Sequence, residues 1–138
     1  MLSDSHVATR LPAKDLERAR AFYRAKLGLE PAEERPGGLL YRCAGSTFVL
    51  FASAGAPSGS HTQMAFTVPD LDAAVTTLRA RGVVFEEYDF PGLRTEGGIA
   101  EIEGNYPSIG TGERGAWFHD SEGNLLAIGQ PTGAPEVP

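Results

Sequence analysis

The strongest constraint on this chain is an internal repeat. The stretch from His6 to Leu16 is matched by the stretch from His61 to Leu71. A histidine, a large apolar residue (Leu11 and Phe66) and an Asp-Leu pair (Asp15-Leu16 and Asp70-Leu71) return at one offset, 55 positions (6 to 61, 15 to 70). Each copy then runs into a helical pattern closed by a glycine. A fixed offset of this kind marks a duplicated supersecondary unit, and it limits the fold to one that two similar halves can build.

Within each copy the local chemistry agrees. Asp15 and Asp70 are suited to cap a helix, because a carboxylate there accepts from the free N–H groups of the first turn. Leu16, Ala19, Phe22, Tyr23 and Leu27 recur at helical spacing, and so do Leu71, Ala74, Val75 and Leu78. Gly28 and Gly82 stand just past the two helix ends, where a left-handed backbone is needed. Strands are predicted at 39–43 and 47–51 around the turn Ala44-Gly45-Ser46, at 83–88, and at 116–119 and 125–128 around Asp120–Asn124. The chain of 138 residues reads as a single domain: module 1 at about 6–52, a Gly/Ser/Ala/Pro-rich linker at 53–60, module 2 at about 61–130, and a tail at 131–138 too rich in proline and glycine to build structure. Only the second copy carries a long glycine-studded segment, 89–115, which is expected to be either a lid over a pocket or a surface loop.

Net charge is −6, which argues against a nucleic-acid partner. No apolar run approaches membrane-spanning length and the N-terminus has no basic, apolar leader, so no membrane association is expected and a cytoplasmic location is the default. Cys43 is the only cysteine, so no internal disulfide and no thiolate metal cage can form.

The segment from Leu11 to Leu29, with its Asp-Leu, Phe-Tyr and Leu-Gly pairs, resembles the first strand and helix of vicinal-oxygen-chelate proteins. The segment from Ala116 to Leu126 is similar to their final hairpin. Together with the repeat, the resemblance covers the chain from His6 to Gln130. It implies an α+β fold of two tandem βαβββ modules whose sheets curve into a mixed-sheet cup, the glyoxalase/bleomycin-resistance fold, with one ligand site between the modules. It does not imply one chemistry, since the superfamily holds isomerases, dioxygenases, thiol transferases and drug-binding proteins.

Members that use a metal take one ligand from the first and last strand of each module. Those places fall here on Ala8, Leu50, Gln63 and Ala127. Three of the four carry no donor atom, so no cofactor is expected at the family positions. His6 and His61 lie two residues before Ala8 and Gln63. They read either as polar residues at strand starts or as the beginning of a displaced metal site completed by Glu101, Glu103 or His119. No nucleophile elbow and no phosphate-cradling glycine loop occurs.

The expected ligand-binding set is Arg10, Phe48, Leu50, Gln63, Tyr88, Arg94, Tyr106, Trp117 and Leu125, a mixture suited to a planar or amphipathic small molecule. The leading expectation is a metal-independent protein that binds a drug or metabolite. The alternatives are a metal-dependent lyase, isomerase or dioxygenase with displaced ligands, and a chain with a vestigial pocket that acts by dimerising. Modules can pair within one chain or swap between two, so a homodimer stays open.

Overall fold

The computed structural model describes residues 1–136. Two compact units emerge. The first holds Met1–Gly59 together with the turn Asp120–Asn124; the second holds Ser60–His119 and the chain from Leu125 onward.

In the first unit, β1 (Thr9–Ala13) leads into α1 (Leu16–Phe22), which continues as a π-helical turn over Tyr23–Leu27 and stops at Gly28, left-handed at φ 70°. The Asp15 carboxylate accepts from the Arg18 N–H at 3.0 Å, the cap expected from sequence. Three strands follow: β2 (Glu33–Arg35), β3 (Gly38–Cys43) and β4 (Ser46–Ala52). They form a sheet in the order β1-β4-β3-β2, with β1 parallel to β4 and the rest antiparallel.

The second unit repeats this plan and extends it. β5 (Thr62–Thr67) leads into α2 (Leu71–Ala80), capped by Asp70, which accepts from the Ala73 N–H at 3.1 Å. Then come β6 (Asp89–Phe90), β7 (Leu93–Glu96), β8 (Ile99–Glu103), β9 (Gly112–His119) and β10 (Leu125–Thr132). The sheet order is β5-β10-β9-β8-β7-β6, again with the first strand parallel to the last. The matched strand orders are the βαβββ plan that the family resemblance implied, with the duplication that the repeat implied. Neither sheet closes on itself.

Strand periodicity divides each sheet into two faces. In the first, Leu11, Leu39, Tyr41, Phe48 and Leu50 share the α1 face and are buried. Tyr41 and Phe48 stack at 4.9 Å, and Tyr23 leans on them at 5.6 and 5.9 Å. In the second, Ala116, Phe118, Leu126 and Ile128 share the α2 face with Leu71 and Val75. Phe85 meets Phe118 edge-on at 5.7 Å. Gln130 reaches from β10 to accept the Leu71 N–H at 2.8 Å, so the sheet itself satisfies a donor of the helix's open end.

Three expectations are corrected. The segment 89–115 is neither lid nor loose loop: most of it is sheet, with Thr95 and Ala100 buried and Gly97-Gly98 forming the tight β7–β8 turn. The predicted strand at 83–88 forms no continuous ladder: it meets β9 at the Phe85–Phe118 bridge and through the Glu86 N–H to the Trp117 carbonyl (2.8 Å), where β8 no longer pairs with β9, and it meets β7 through Tyr88, whose carbonyl accepts the Thr95 N–H at 3.0 Å. The tail is not wholly irregular either. Pro131 and Thr132 belong to β10, opposite Glu113 and Gly112, and the Glu136 N–H reaches the Pro107 carbonyl at 2.8 Å; the last two residues of the tail lie outside the described ones. Among the described residues no helix is long and apolar enough to cross a membrane.

Candidate functional site

The second sheet's face away from α2, its inner face, carries the features of a binding surface. Its floor is made of small residues. Register pairs place Ala65 beside Ala127 and Thr67 beside Gly129 on β5 and β10, and Gly115 beside Gly129 and Ala100 on β10 and β8. Two larger side chains lean over this floor. The Trp117 indole tip lies 3.2 Å from where a Cβ on Gly115 would stand, and Glu113 Oε1 lies 2.9 Å from where a Cβ on Gly129 would stand. Gly115 and Gly129 face each other across the β9–β10 ladder. An aromatic ring and a carboxylate therefore occupy room that only a pair of glycines leaves open. Ile102 borders the same face, opposite Glu113.

Tyr88 packs edge-on to Trp117 at 5.7 Å and extends the aromatic wall. Its phenol is pushed up from the usual tyrosine value, by burial first and by the charge of Glu86 second. Beyond Trp117 on the same face, His119 pairs through Nδ1 with Glu86 at 2.8 Å. Gln63 sits at the bulge where β5 shifts register against β10, on the side of Ala65. Its Oε1 is buried and has no hydrogen-bond partner among the described residues. Such an oxygen is costly to leave unmatched, by about 1–3 kcal/mol, so it favours a ligand that donates to it.

Of the nine residues expected from sequence, Gln63, Tyr88, Trp117 and Leu125 lie on or beside this face, Leu125 being buried opposite His119. Arg94 does not. It stands on the α2 side of β7, exposed, with its guanidinium 4.0 Å from Asp89. Tyr106 lies in the β8–β9 connection and is 73% exposed. Phe48 and Leu50 are corrected: they are core under α1, and it is Val49 and Phe51 that take the opposite face of β4. Arg10 shares that opposite face in the first unit, its guanidinium 5.2 Å over the Phe51 ring. It borders a shallow groove of about 260 Å³ with Glu33, Arg35, Leu40 and Val49. Glu113 was not anticipated, because its role comes from a glycine on the neighbouring strand.

A larger open groove, about 660 Å³, lies on the α2 side where Arg94, Glu96, Glu101 and Arg114 gather. Its two arginines are engaged already, Arg94 beside Asp89. Arg114 holds Asp72 with two bonds (2.8 and 3.1 Å) and Glu101 with one (3.0 Å), which lowers the Asp72 pKa. That leaves it little to offer an organic ligand.

The family's metal positions do not fit a metal. Ala8 and Ala127 have no donor, Leu50 is a buried core side chain, and Gln63 alone offers one amide oxygen. The displaced set fares no better. Glu101 is engaged by Arg114 and His119 by Glu86, and among the described residues no three His, Cys, Asp or Glu side chains are grouped to hold one ion. Cys43 is half-buried, and burial pushes its thiol pKa up, away from thiolate reactivity.

Comparison with known proteins agrees with this architecture. No curated protein matches the chain. Among solved structures, a glyoxalase/bleomycin resistance protein/dioxygenase from Nocardioides is similar at 22% identity, over 95% of this chain and 86% of that one, with a TM-score of 0.64. An antibiotic-binding protein from a Streptomyces species is similar at 24% identity, over 96% of this chain and 100% of that one, with a TM-score of 0.62. A lactoylglutathione lyase from Agrobacterium tumefaciens is similar at 23% identity, over 92% and 93% of the two chains, with a TM-score of 0.61. Identities this low show a shared fold and not a shared activity. A family model matches residues 5–128, nearly the whole chain, and the chain therefore belongs to the Glyoxalase/Bleomycin resistance protein/Dioxygenase superfamily.

Proposed function

We propose that this protein binds a drug-like or metabolite-like small molecule without using a metal, and that the inner face of the second sheet is where the ligand lies. The observation that carries this reading is the Trp117 indole laid over Gly115, above a floor of alanines and glycines. An aromatic ring laid flat on small residues turns its free face outward and offers a planar ligand a stacking partner. The unmatched Gln63 oxygen supports the same reading, since it gives a bound molecule one fixed point of orientation. The likeness to an antibiotic-binding protein agrees with it. Catalysis of the metal-dependent kind lacks support in the donor set at the family positions.

The test is a titration of the chelator-treated protein with a panel of planar aromatic antibiotics, followed by calorimetry and by Trp117 fluorescence. Saturable binding that moves the fluorescence of the only tryptophan and is indifferent to chelator is the expected result. One Zn, Ni, Mn or Fe per chain after purification without chelator, or binding that appears only when a divalent ion is added, overturns the metal-independent reading. Binding that leaves Trp117 silent overturns the location.

A further inference from the structure

We propose that the inner face of the second sheet selects ligands that carry a protonated amine on an aromatic frame, with Glu113 as the residue that recognises the cation. The inference rests on the reading that this face is the binding site. It starts from the state of Glu113. Of the other carboxylates near the sheet, Asp72 and Glu101 are held by Arg114, Glu86 by His119 and Glu87 by the Thr95 hydroxyl, while Glu96 and Glu103 stand on the opposite, α2 side. Glu113 is half-buried and is left with no hydrogen bond or ion pair among the described residues. Arg114, its neighbour in sequence, points to the opposite face, as strand alternation requires.

Its placement is the second part of the argument. Glu113 and Trp117 flank Gly115 on one strand, four residues or about 13 Å apart along the backbone. Both lean toward the same glycine pair, the indole over Gly115 and the carboxylate over Gly129. A ring stacked on the indole would hold a short substituent toward the carboxylate. An ammonium group there gains a charge-assisted hydrogen bond from a partly desolvated acid and also benefits from the indole's negative face. Gln63 Oε1 is likewise an acceptor without a donor. The face thus offers acceptors and a π surface and, among the described residues, no Lys or Arg, and the net charge of −6 draws in cations rather than anions.

The experiment uses three probes with one ring system: 2-naphthylmethylamine, 2-naphthylmethanol and 2-naphthoate, each titrated calorimetrically into the full chain. The amine is expected to bind on the order of tenfold more tightly than the alcohol, and the carboxylate more weakly than either. The amine's advantage should shrink as salt is raised. Glu113→Gln should bring the amine down to the alcohol's affinity. Gly129→Ala should do the same by pushing the carboxylate aside, and circular dichroism checks that each variant stays folded. Equal binding of amine and alcohol by the parent chain, or a preference that survives in both variants, overturns the inference while leaving the binding face in place. Failure of all three probes to bind removes the binding face and the inference with it.

Discussion

The phenol of Tyr23 donates a 2.7 Å hydrogen bond to Oδ2 of Asp120, which lies 97 positions later in the chain. The same carboxylate accepts from the Glu122 N–H (2.8 Å), the Asn124 N–H (3.0 Å) and the Asn124 side-chain amide (2.9 Å). The Asn124 amide also donates to the Pro12 carbonyl at 3.0 Å. The Asp120–Asn124 turn is therefore part of the first unit's core, and its aspartate organises four donors.

Removing the Tyr23 hydroxyl tests how much this junction matters. Hydrogen bonds to a charged acceptor are worth about 1.5–3 kcal/mol. Tyr23→Phe should cost about 2 kcal/mol with the ring packing against Tyr41 and Phe48 kept. Asp120→Ala, which strands every donor at once, should cost more than the tyrosine change. Urea unfolding measures both. An Asp120→Ala variant as stable as Tyr23→Phe would mean the turn is held by something other than its carboxylate.

Glu122 supplies the acid-sensitive part of the same turn. Its carboxylate receives two hydrogen bonds from Arg18, one from the Asp15 N–H and one from the Ser121 hydroxyl. Arg18 first, then Asp15 and Ser121, hold its pKa down at about 2 from an ordinary 4.5, against the opposing pull of burial. The folded value lies below the unfolded one, so the stabilisation is complete above pH 4.5 and is lost as pH falls toward 2. Stability measured between those limits should drop steeply in the parent and more gently in Glu122→Gln. Parallel curves for the two proteins would show that the Arg18 contact contributes nothing to acid stability.

The parts of the fold that sequence could reveal are those where duplication and capping chemistry coincide. Asp15 and Asp70 cap as expected, and the offset between them marks a duplication that the two sheets' matching strand orders bear out. The parts it concealed have no apolar period to show. β2 is Glu33-Glu34-Arg35, exposed throughout, and exists only because β3 offers it a free edge. In 89–115 the density of glycine suggested mobility, yet Gly97-Gly98 makes a tight turn between paired strands. The faces of β4 were misjudged because no turn motif set the register there, and a slip of one residue exchanges Phe48 and Leu50 for Val49 and Phe51. The Glu113 site is written across two strands, so reading either strand alone does not find it.

The β7–β8 turn provides the sharpest test of this corrected picture. Gly97 and Gly98 both have positive φ, 58° and 82°, where a side chain costs about 1–2 kcal/mol. Their surroundings differ. A Cβ on Gly97 would meet nothing within 4 Å, whereas one on Gly98 would stand 2.9 Å from Phe85 Cβ and 3.0 Å from the Arg79 guanidinium. Arg79 is not free to retreat, since it holds the Gly97 carbonyl at 2.6 Å and covers the Phe85 ring at 5.5 Å. Gly97→Ala should therefore cost only the backbone strain, about 1 kcal/mol. Gly98→Ala should add an overpacking cost of about 1–3 kcal/mol through Phe85 and its contact with Phe118. Shortening 92–112 to a tight turn should abolish cooperative unfolding, because it removes β7, β8 and the buried Thr95 and Ala100. A mobile lid would tolerate all three changes alike. Equal stability for the two alanine variants, or a shortened chain that still melts cooperatively, would return this segment to the status of a loop.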